Sequence, residues 1–224
     1  MAKREKERAS GYTMDDQEQP PLRLGMLAPN FRARTTLGPL TLSDLRGRWV
    51  VLFSHPADFT PVCTSEFIAF SRAQPQFDQL GCQLLGLSVD SLSSHLAWMA
   101  AIARDLATEI RFPVIEDPSM AIARAYGMLD LTARDSSTVR STFILDPDGR
   151  IQAILSYPLC VGRSVSEILR TVAALQRAAR GDALTPANWH PGDPIFHPPS
   201  TTIGEVAAQG EQLWYHALYE DDAL

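Results

Sequence analysis

Residues Trp49–Glu66 read WVVLFSHPADFTPVCTSE. Trp49–Ser54 is a continuous apolar run of β-forming residues, the pattern of a strand buried on both faces. A loop containing Pro56 follows. Thr60 and Pro61 then mark a helix start, because threonine suits the N-cap and proline the first helical position. This reading makes Cys63 the third helical residue, where a capping box would hold Glu or Gln. Free backbone N–H groups and the positive end of the helix dipole favour negative charge there. A thiolate is the nucleophilic form of cysteine, and such a setting favours it.

The pattern continues outward on both sides. Phe67, Phe70, Phe77 and Leu80 repeat at helical spacing and Gly81 ends the segment, while Pro75 is expected to kink or restart the helix. Upstream, FRARTTLGPLTL suggests a hairpin turning near Gly38. Downstream, Gln83–Asp90 reads as a second buried strand. A helix from Ser93 carries His95, and FPVI and SMAIARAYG give a short strand and a short helix. Thr138–Asp146 and Arg150–Tyr157 are two strands joined by a Pro-Asp-Gly turn. The last helix opens on a Ser164–Glu167 capping box, with Ile168, Val172 and Leu175 as its apolar stripe.

A βαβ unit followed by a ββα unit gives an α/β protein: a central mixed sheet flanked by helices, the thioredoxin-like arrangement. Residues 1–24 read as a flexible lead-in and 25–180 as the folded domain. Residues 181–224 form an extended C-terminal segment. Its proline-rich stretch, TPANWHPGDPIFHPPSTT, must lie on this domain or on a partner subunit. The closing YEDDAL reads as a solvated acidic tail.

Composition sets outer limits. With 45% hydrophobic and 21% charged residues, the chain of 224 residues is long enough to bury a core without disulfide staples. A net charge of -6 disfavours a nucleic-acid partner, and the basic tract KREKER at Lys3–Arg8 is interrupted by glutamates. No basic-then-apolar leader and no apolar run of membrane-spanning length are seen, so the expected location is the cytoplasm.

Three cysteines, Cys63, Cys82 and Cys160, are too few and scattered for a disulfide framework or metal cluster. Cys82 and Cys160 fit the ordinary role of small buried hydrophobes, whereas Cys63 stands at a helix N-terminus. No second cysteine forms a Cys-x-x-Cys pair with it, which argues against a dithiol oxidoreductase. A lone activated thiol attacks an electrophile and is then rescued from outside. A rigid, dry pocket with backbone donors suits substitution at a peroxide oxygen. His190 and His197 lack ligand spacing, so no metal site is expected, and a thiol rescued by an external thiol implies no other cofactor.

At these residues the sequence resembles the peroxiredoxins, whose Pro-x-x-x-Thr-x-x-Cys signature is matched by Pro56, Thr60 and Cys63. HPADFTPVCTSE is similar to the one-Cys subfamily in particular. The resemblance runs from about Gly25 to Thr202 and includes APNF, SVDS, HLAW, VRSTFILDP, YPLCVGRS and TPANWHPGD. It implies that Cys63 is oxidised by hydroperoxide to sulfenic acid and reduced by an external small-molecule or protein thiol. It implies that Thr60 hydrogen-bonds the peroxide, Pro56 shields the sulfur, and Arg140 holds the thiolate and polarises the peroxide. Glu66 and Arg163 would brace Arg140, and His55 would line the pocket.

The resemblance also implies a homodimer clasped by the C-terminal segment, with a ring of dimers left open. Two features depart from related patterns. No cysteine follows Cys160, so Val161–Leu224 supplies no resolving thiol; Cys160 is a poor substitute and Cys82 a poorer one. The region LRGRWVV lacks the Gly-x-Ser-x-Gly stretch of lipase-like members, so phospholipase activity is not expected. A competing reading is a redox-sensing or chaperone-like scaffold, in which oxidation of Cys63 changes assembly.

Overall fold

The computed structural model describes residues 21–129, 137–208, 213 and 215–221. KREKER and DDQEQ lie outside the described residues. The apolar run forms strand β3 (Trp49–Ser54), with every residue after Trp49 buried. It is an interior strand of a seven-stranded sheet that also contains β1 (Arg32–Thr35), β2 (Gly38–Thr41), β4 (Cys82–Ser88), β5 (Val114–Glu116), β6 (Arg140–Leu145) and β7 (Ile151–Tyr157). The order across the sheet is β2-β1-β5-β4-β3-β6-β7. β3 runs parallel to β4 and antiparallel to β6, with Val51 opposite both Leu84 and Ile144. The sheet is therefore mixed, as the element order implies, and the hairpin turns at Gly38 with Thr35 opposite it.

Alternation along β3 divides the core. Val51 and Phe53 face one apolar cluster with helix α1 (Pro61–Gln79), helix α2 (Leu92–Leu106) and helix α4 (Val165–Ala178). Val50 and Leu52 face another, closed by a 3-10 turn at Leu42–Leu45 and helix α3 (Ala121–Ala125), with Leu22 at its edge. Gly86 lets α1 lie close to the sheet: a Cβ there would meet the Phe67 ring at 3.3 Å. Gly81, at φ +58, ends α1.

Four local expectations need correction. α1 does not restart at Pro75 but continues through it to Gln79. Phe70 and Phe77 are buried in the same cluster on either side of it, and Pro75 is exposed, where water can satisfy the Ser71 carbonyl that loses its donor. The Ser164 hydroxyl does accept from Glu167 N–H at 3.3 Å, but the Glu167 carboxylate turns to Arg170 at 2.7 Å, so only half the capping box forms. Cys160 is exposed rather than buried, because it lies on the β7–α4 loop. Asp221 of YEDDAL is paired with Arg177 at 2.8 Å and its side chain is buried, so this part of the tail is not solvated; the last three residues lie outside the described set.

The segment after α4 rests on its own domain at first. Ala183, Trp189 and Ile195 pack with Ala173 of α4 and Leu80. Strands β8 (Ile195–Phe196) and β9 (Leu218–Tyr219) pair, and helix α5 (Ile203–Ala208) precedes β9. Among the described residues no helix is long and apolar enough to cross a membrane.

Candidate active site

β3 ends at Ser54, and the chain turns into α1 over six residues. Thr60 adopts extended N-cap geometry, with φ -103 and ψ 147, and Pro61 occupies the first helical position as expected. The Thr60 hydroxyl, however, donates back to the Ala57 carbonyl at 2.8 Å and does not cap the helix. Its lone pairs stay available to accept another hydrogen bond. Phe59, just before it, is exposed with φ 56, a conformation few non-glycine residues adopt. Pro56 is buried.

Cys63 is the third residue of α1 and is fully buried. Arg140, the first residue of β6, places Nη1 3.4 Å from its sulfur. The same nitrogen donates to Glu66 Oε2 at 2.8 Å, and Nε and Nη2 donate to the Leu159 carbonyl at 2.9 and 2.8 Å. Glu66 lies on α1 three residues beyond Cys63. Its carboxylate also accepts from Arg163 Nη2 at 2.7 Å, Nε at 2.9 Å and backbone N–H at 2.8 Å. The Arg163 guanidinium covers the Phe53 ring at 5.0 Å.

Burial works against the Glu66 charge, but Arg163 and Arg140 outweigh it and hold the carboxyl below its ordinary range. Two guanidiniums face one carboxylate, so one positive charge is left over on the side of the sulfur. A Cys63 thiolate neutralises it. The resemblance-based reading of Arg140, Glu66 and Arg163 thus corresponds to one buried network.

His55 is fully buried, and the sequence reading gave it only a place beside the pocket. Its Nε2 lies 2.8 Å from Asp58 Oδ1, and its ring packs on Phe67 at 4.8 Å and Trp98 at 5.3 Å. Phe67 is one turn along α1 from Cys63. His55 Nδ1 has no hydrogen-bond partner among the described residues, which for a buried acceptor costs about 1–3 kcal/mol.

Sequence reasoning passed over Asp58 and the role of His95, whose Nδ1 lies 2.8 Å from Asp58 Oδ2. The His55–Asp58 spacing within one loop was the available signal. The ligand atoms of the three lie within 4.8 Å of one another. Ligands around a tetrahedral ion with bonds near 2.0–2.1 Å stand roughly 3.3 Å apart. The 2.8 Å contacts are therefore those of a hydrogen-bonded triad.

The other thiols differ in kind. Burial pushes Cys82 up to about 12, so it is protonated at neutral pH. Cys160 is exposed, on a loop held near α1: a Cβ on Gly162 would meet Val62 at 3.4 Å. A cleft of about 700 Å³, lined by Ser71, Pro75, Leu106 and Arg111 among others, does not include Cys63. The buried network suits a reactant of two oxygens better than a large ligand.

Comparisons with known proteins agree with this chemistry. The AhpC/TSA family profile matches residues 24–154. "Peroxiredoxin 2" of Caldanaerobacter subterraneus is 50% identical over 183 residues, covering 82% of this chain and 83% of that protein. A mitochondrial peroxiredoxin of Saccharomyces cerevisiae is 43% identical over 205 residues, 88% of this chain and 78% of the relative. Among solved structures, a cysteine-to-serine mutant of peroxiredoxin 6 from Arenicola marina superposes with TM-score 0.76 at 36% identity, covering 84% of this chain and 88% of its own. A yeast mitochondrial one-Cys peroxiredoxin gives TM-score 0.76 at 41% identity, covering 85% and 93% respectively.

Proposed function

The chain belongs to the AhpC/TSA family of peroxiredoxins and is a thiol-dependent peroxidase; from that premise we propose that it works by a one-Cys cycle centred on Cys63. The thiolate attacks a terminal peroxide oxygen of hydrogen peroxide or an organic hydroperoxide. The O–O bond breaks, the departing oxygen leaves as water or alcohol after taking a proton, and Cys63 becomes a sulfenic acid. An external thiol then attacks that sulfur, releasing water and leaving a mixed disulfide. A second thiol frees Cys63.

The observation that carries this reading is the Arg140 guanidinium, shared between the Cys63 sulfur and Glu66. It offers fixed positive charge where negative charge develops on sulfur and oxygen. Glu66 and Arg163 hold that arginine in place, Thr60 accepts a hydrogen bond from the peroxide, Pro56 keeps water from the sulfur, and His55 is a polar neighbour. The one-Cys form is supported by the thiols themselves: Cys82 is buried and protonated, and no cysteine lies in Val161–Leu224.

The yeast neighbour is described as resolved via glutathione/thioredoxin systems, and a reductant of either kind, small-molecule or protein, fits this cycle. We assign residues 25–180 to the catalytic domain and 181–224 to an arm that clasps a second subunit in a homodimer, located in the cytoplasm. The cycle uses no cofactor besides the reducing thiol.

The test gives one equivalent of hydrogen peroxide to wild type, Cys63→Ser and Cys82→Ser/Cys160→Ser, following peroxide and intact mass from milliseconds to seconds. Fast consumption with sulfenic acid on Cys63, retained in the double variant and lost in Cys63→Ser, is the expected result. An internal disulfide to Cys82 or Cys160 would overturn the one-Cys cycle. Oxidation without turnover in excess thiol would favour the redox-sensing scaffold instead.

A further inference from the structure

We propose that Asp58 and His95 are positioning residues for the peroxidase reaction: Asp58, held by His95, fixes the buried His55 as the tautomer with hydrogen on Nε2 and Nδ1 bare, and the pair pins the loop that carries Thr60. The inference rests on Cys63 as the peroxidatic thiol and extends the machinery to two residues with no hydrogen bond to its sulfur.

The hydrogen bonds place the protons. Burial opposes ionisation of Asp58, but the hydrogen bonds from His55 and His95 outweigh it and hold the carboxyl below its ordinary range. An ionised carboxylate only accepts, so both nitrogens facing it, His55 Nε2 and His95 Nδ1, carry hydrogen. His95 Nε2 lies 3.2 Å from the Ile115 carbonyl, which also only accepts. His95 therefore has an acceptor facing each of its ring nitrogens and fastens Asp58 to β5. Burial lowers His55, with Asp58 pulling the other way, and its Nδ1 meets no donor or acceptor among the described residues. His55 is therefore neutral.

The same contacts fasten the loop. Asp58 N–H donates to Asp90 Oδ2 at 3.0 Å, Asp90 Oδ2 also accepts from the Ser88 hydroxyl at 2.8 Å, and the His55 carbonyl accepts from Thr138 Oγ1 at 2.8 Å. His95 comes from α2 and Ile115 from β5, so Asp58 joins the active-site loop to elements beyond α1. Reacting groups need placement within a fraction of an ångström. A bare, dry acceptor whose ring packs one helical turn from the sulfur suits the hydroxyl hydrogen of an incoming hydroperoxide, and only the Nε2–H tautomer leaves Nδ1 free to accept it.

The test measures the second-order rate of Cys63 oxidation by hydrogen peroxide in wild type, Asp58→Asn, His95→Gln and His55→Asn, and in both doubles that include His55→Asn. Asp58→Asn and His95→Gln should each slow oxidation by roughly tenfold or more. Neither should slow it further once His55 is replaced, because residues that act through one group are not additive. Nitrogen-15 spectra of histidine-labelled wild type should show His55 as the Nε2–H tautomer. His95→Gln keeps the test available if Asp58→Asn does not fold.

Single variants at the wild-type rate would overturn the inference. So would equal losses with and without His55, the mark of a merely structural role, or an Nδ1–H tautomer in wild type. Failure of the peroxidase reading shows separately, as a wild type that leaves Cys63 reduced.

Discussion

Arg140 stands with one guanidinium nitrogen 3.4 Å from the sulfur of Cys63. Strand β6 supplies the cation and helix α1 the thiol, so the contact exists only because β3 and β6 are neighbours and α1 starts at the end of β3. The guanidinium is fixed in place, since Glu66 and the Leu159 carbonyl take three of its other four hydrogens. Fixed charge of this kind needs little reorganisation when peroxide arrives.

Replacing Arg140 by Gln should therefore slow Cys63 oxidation by on the order of 10²–10³. Arg140→Lys keeps the charge but cannot reach the sulfur, Glu66 and Leu159 together, so it should recover only part of the loss. Stopped-flow oxidation by hydrogen peroxide measures both. A lysine variant at the wild-type rate would show that charge alone suffices and geometry does not.

Glu66→Gln should destabilise the fold by about 3–5 kcal/mol at pH 7, because it leaves two buried guanidiniums without their carboxylate. The pH dependence has a definite sign. The folded pKa of Glu66 lies below its ordinary value of 4.5. Its ionised form thus stabilises fully above pH 4.5, and that contribution is lost as pH falls through the folded value. Urea unfolding should show wild type and variant far apart at pH 7 and converging below pH 4.5. A gap that stays constant down to acid pH would mean that the charge is not what stabilises.

Cys82 and Cys160 should respond in opposite ways to iodoacetamide on the native protein at mildly alkaline pH. Cys82 is buried and pushed up to about 12, so it stays protonated and unlabelled. Cys160 is exposed and should be labelled. Cys82→Ala should oxidise within about twofold of the wild-type rate, since a protonated buried thiol is not a nucleophile. Peptide mass mapping of the labelled protein checks the first statement, and labelling of Cys82 before unfolding would contradict it.

Local features were legible in the sequence where local physics sets them. β3 could be read to the residue because an apolar run is bounded by the polar Arg46-Gly47-Arg48 on one side and a proline loop on the other. The start of α1 followed from Thr60 and Pro61, and its end from Gly81. Long-range ion pairs carry no such mark. Arg140 and Glu66 are 74 residues apart, Arg163 and Glu66 97, and Asp58 and His95 37. The first two pairs were anticipated only through resemblance, and the third was missed. Pro75 misled because proline removes one hydrogen bond whatever its surroundings, while two buried phenylalanines decide whether the helix survives it.

The C-terminal pair Arg177–Asp221 supplies the last prediction. Arg177 side-chain exposure is 5% and that of Asp221 1%, and the two meet at 2.8 Å, 44 residues apart in the chain. Asp182 also binds Arg177, at 2.6 Å, but is 61% exposed and so largely screened by water. Removing Asp221 leaves a nearly buried guanidinium with one solvated partner, whereas removing Asp182 leaves the buried pair intact. Asp221→Ala should therefore lower the Tm by about 5 °C, and Asp182→Ala by much less. The Asp221→Ala variant should also become more open to protease between Leu184 and Asp221, because the pair ties the end of the chain to α4. Equal melting temperatures for the two variants would show that the buried pair contributes nothing beyond a surface contact.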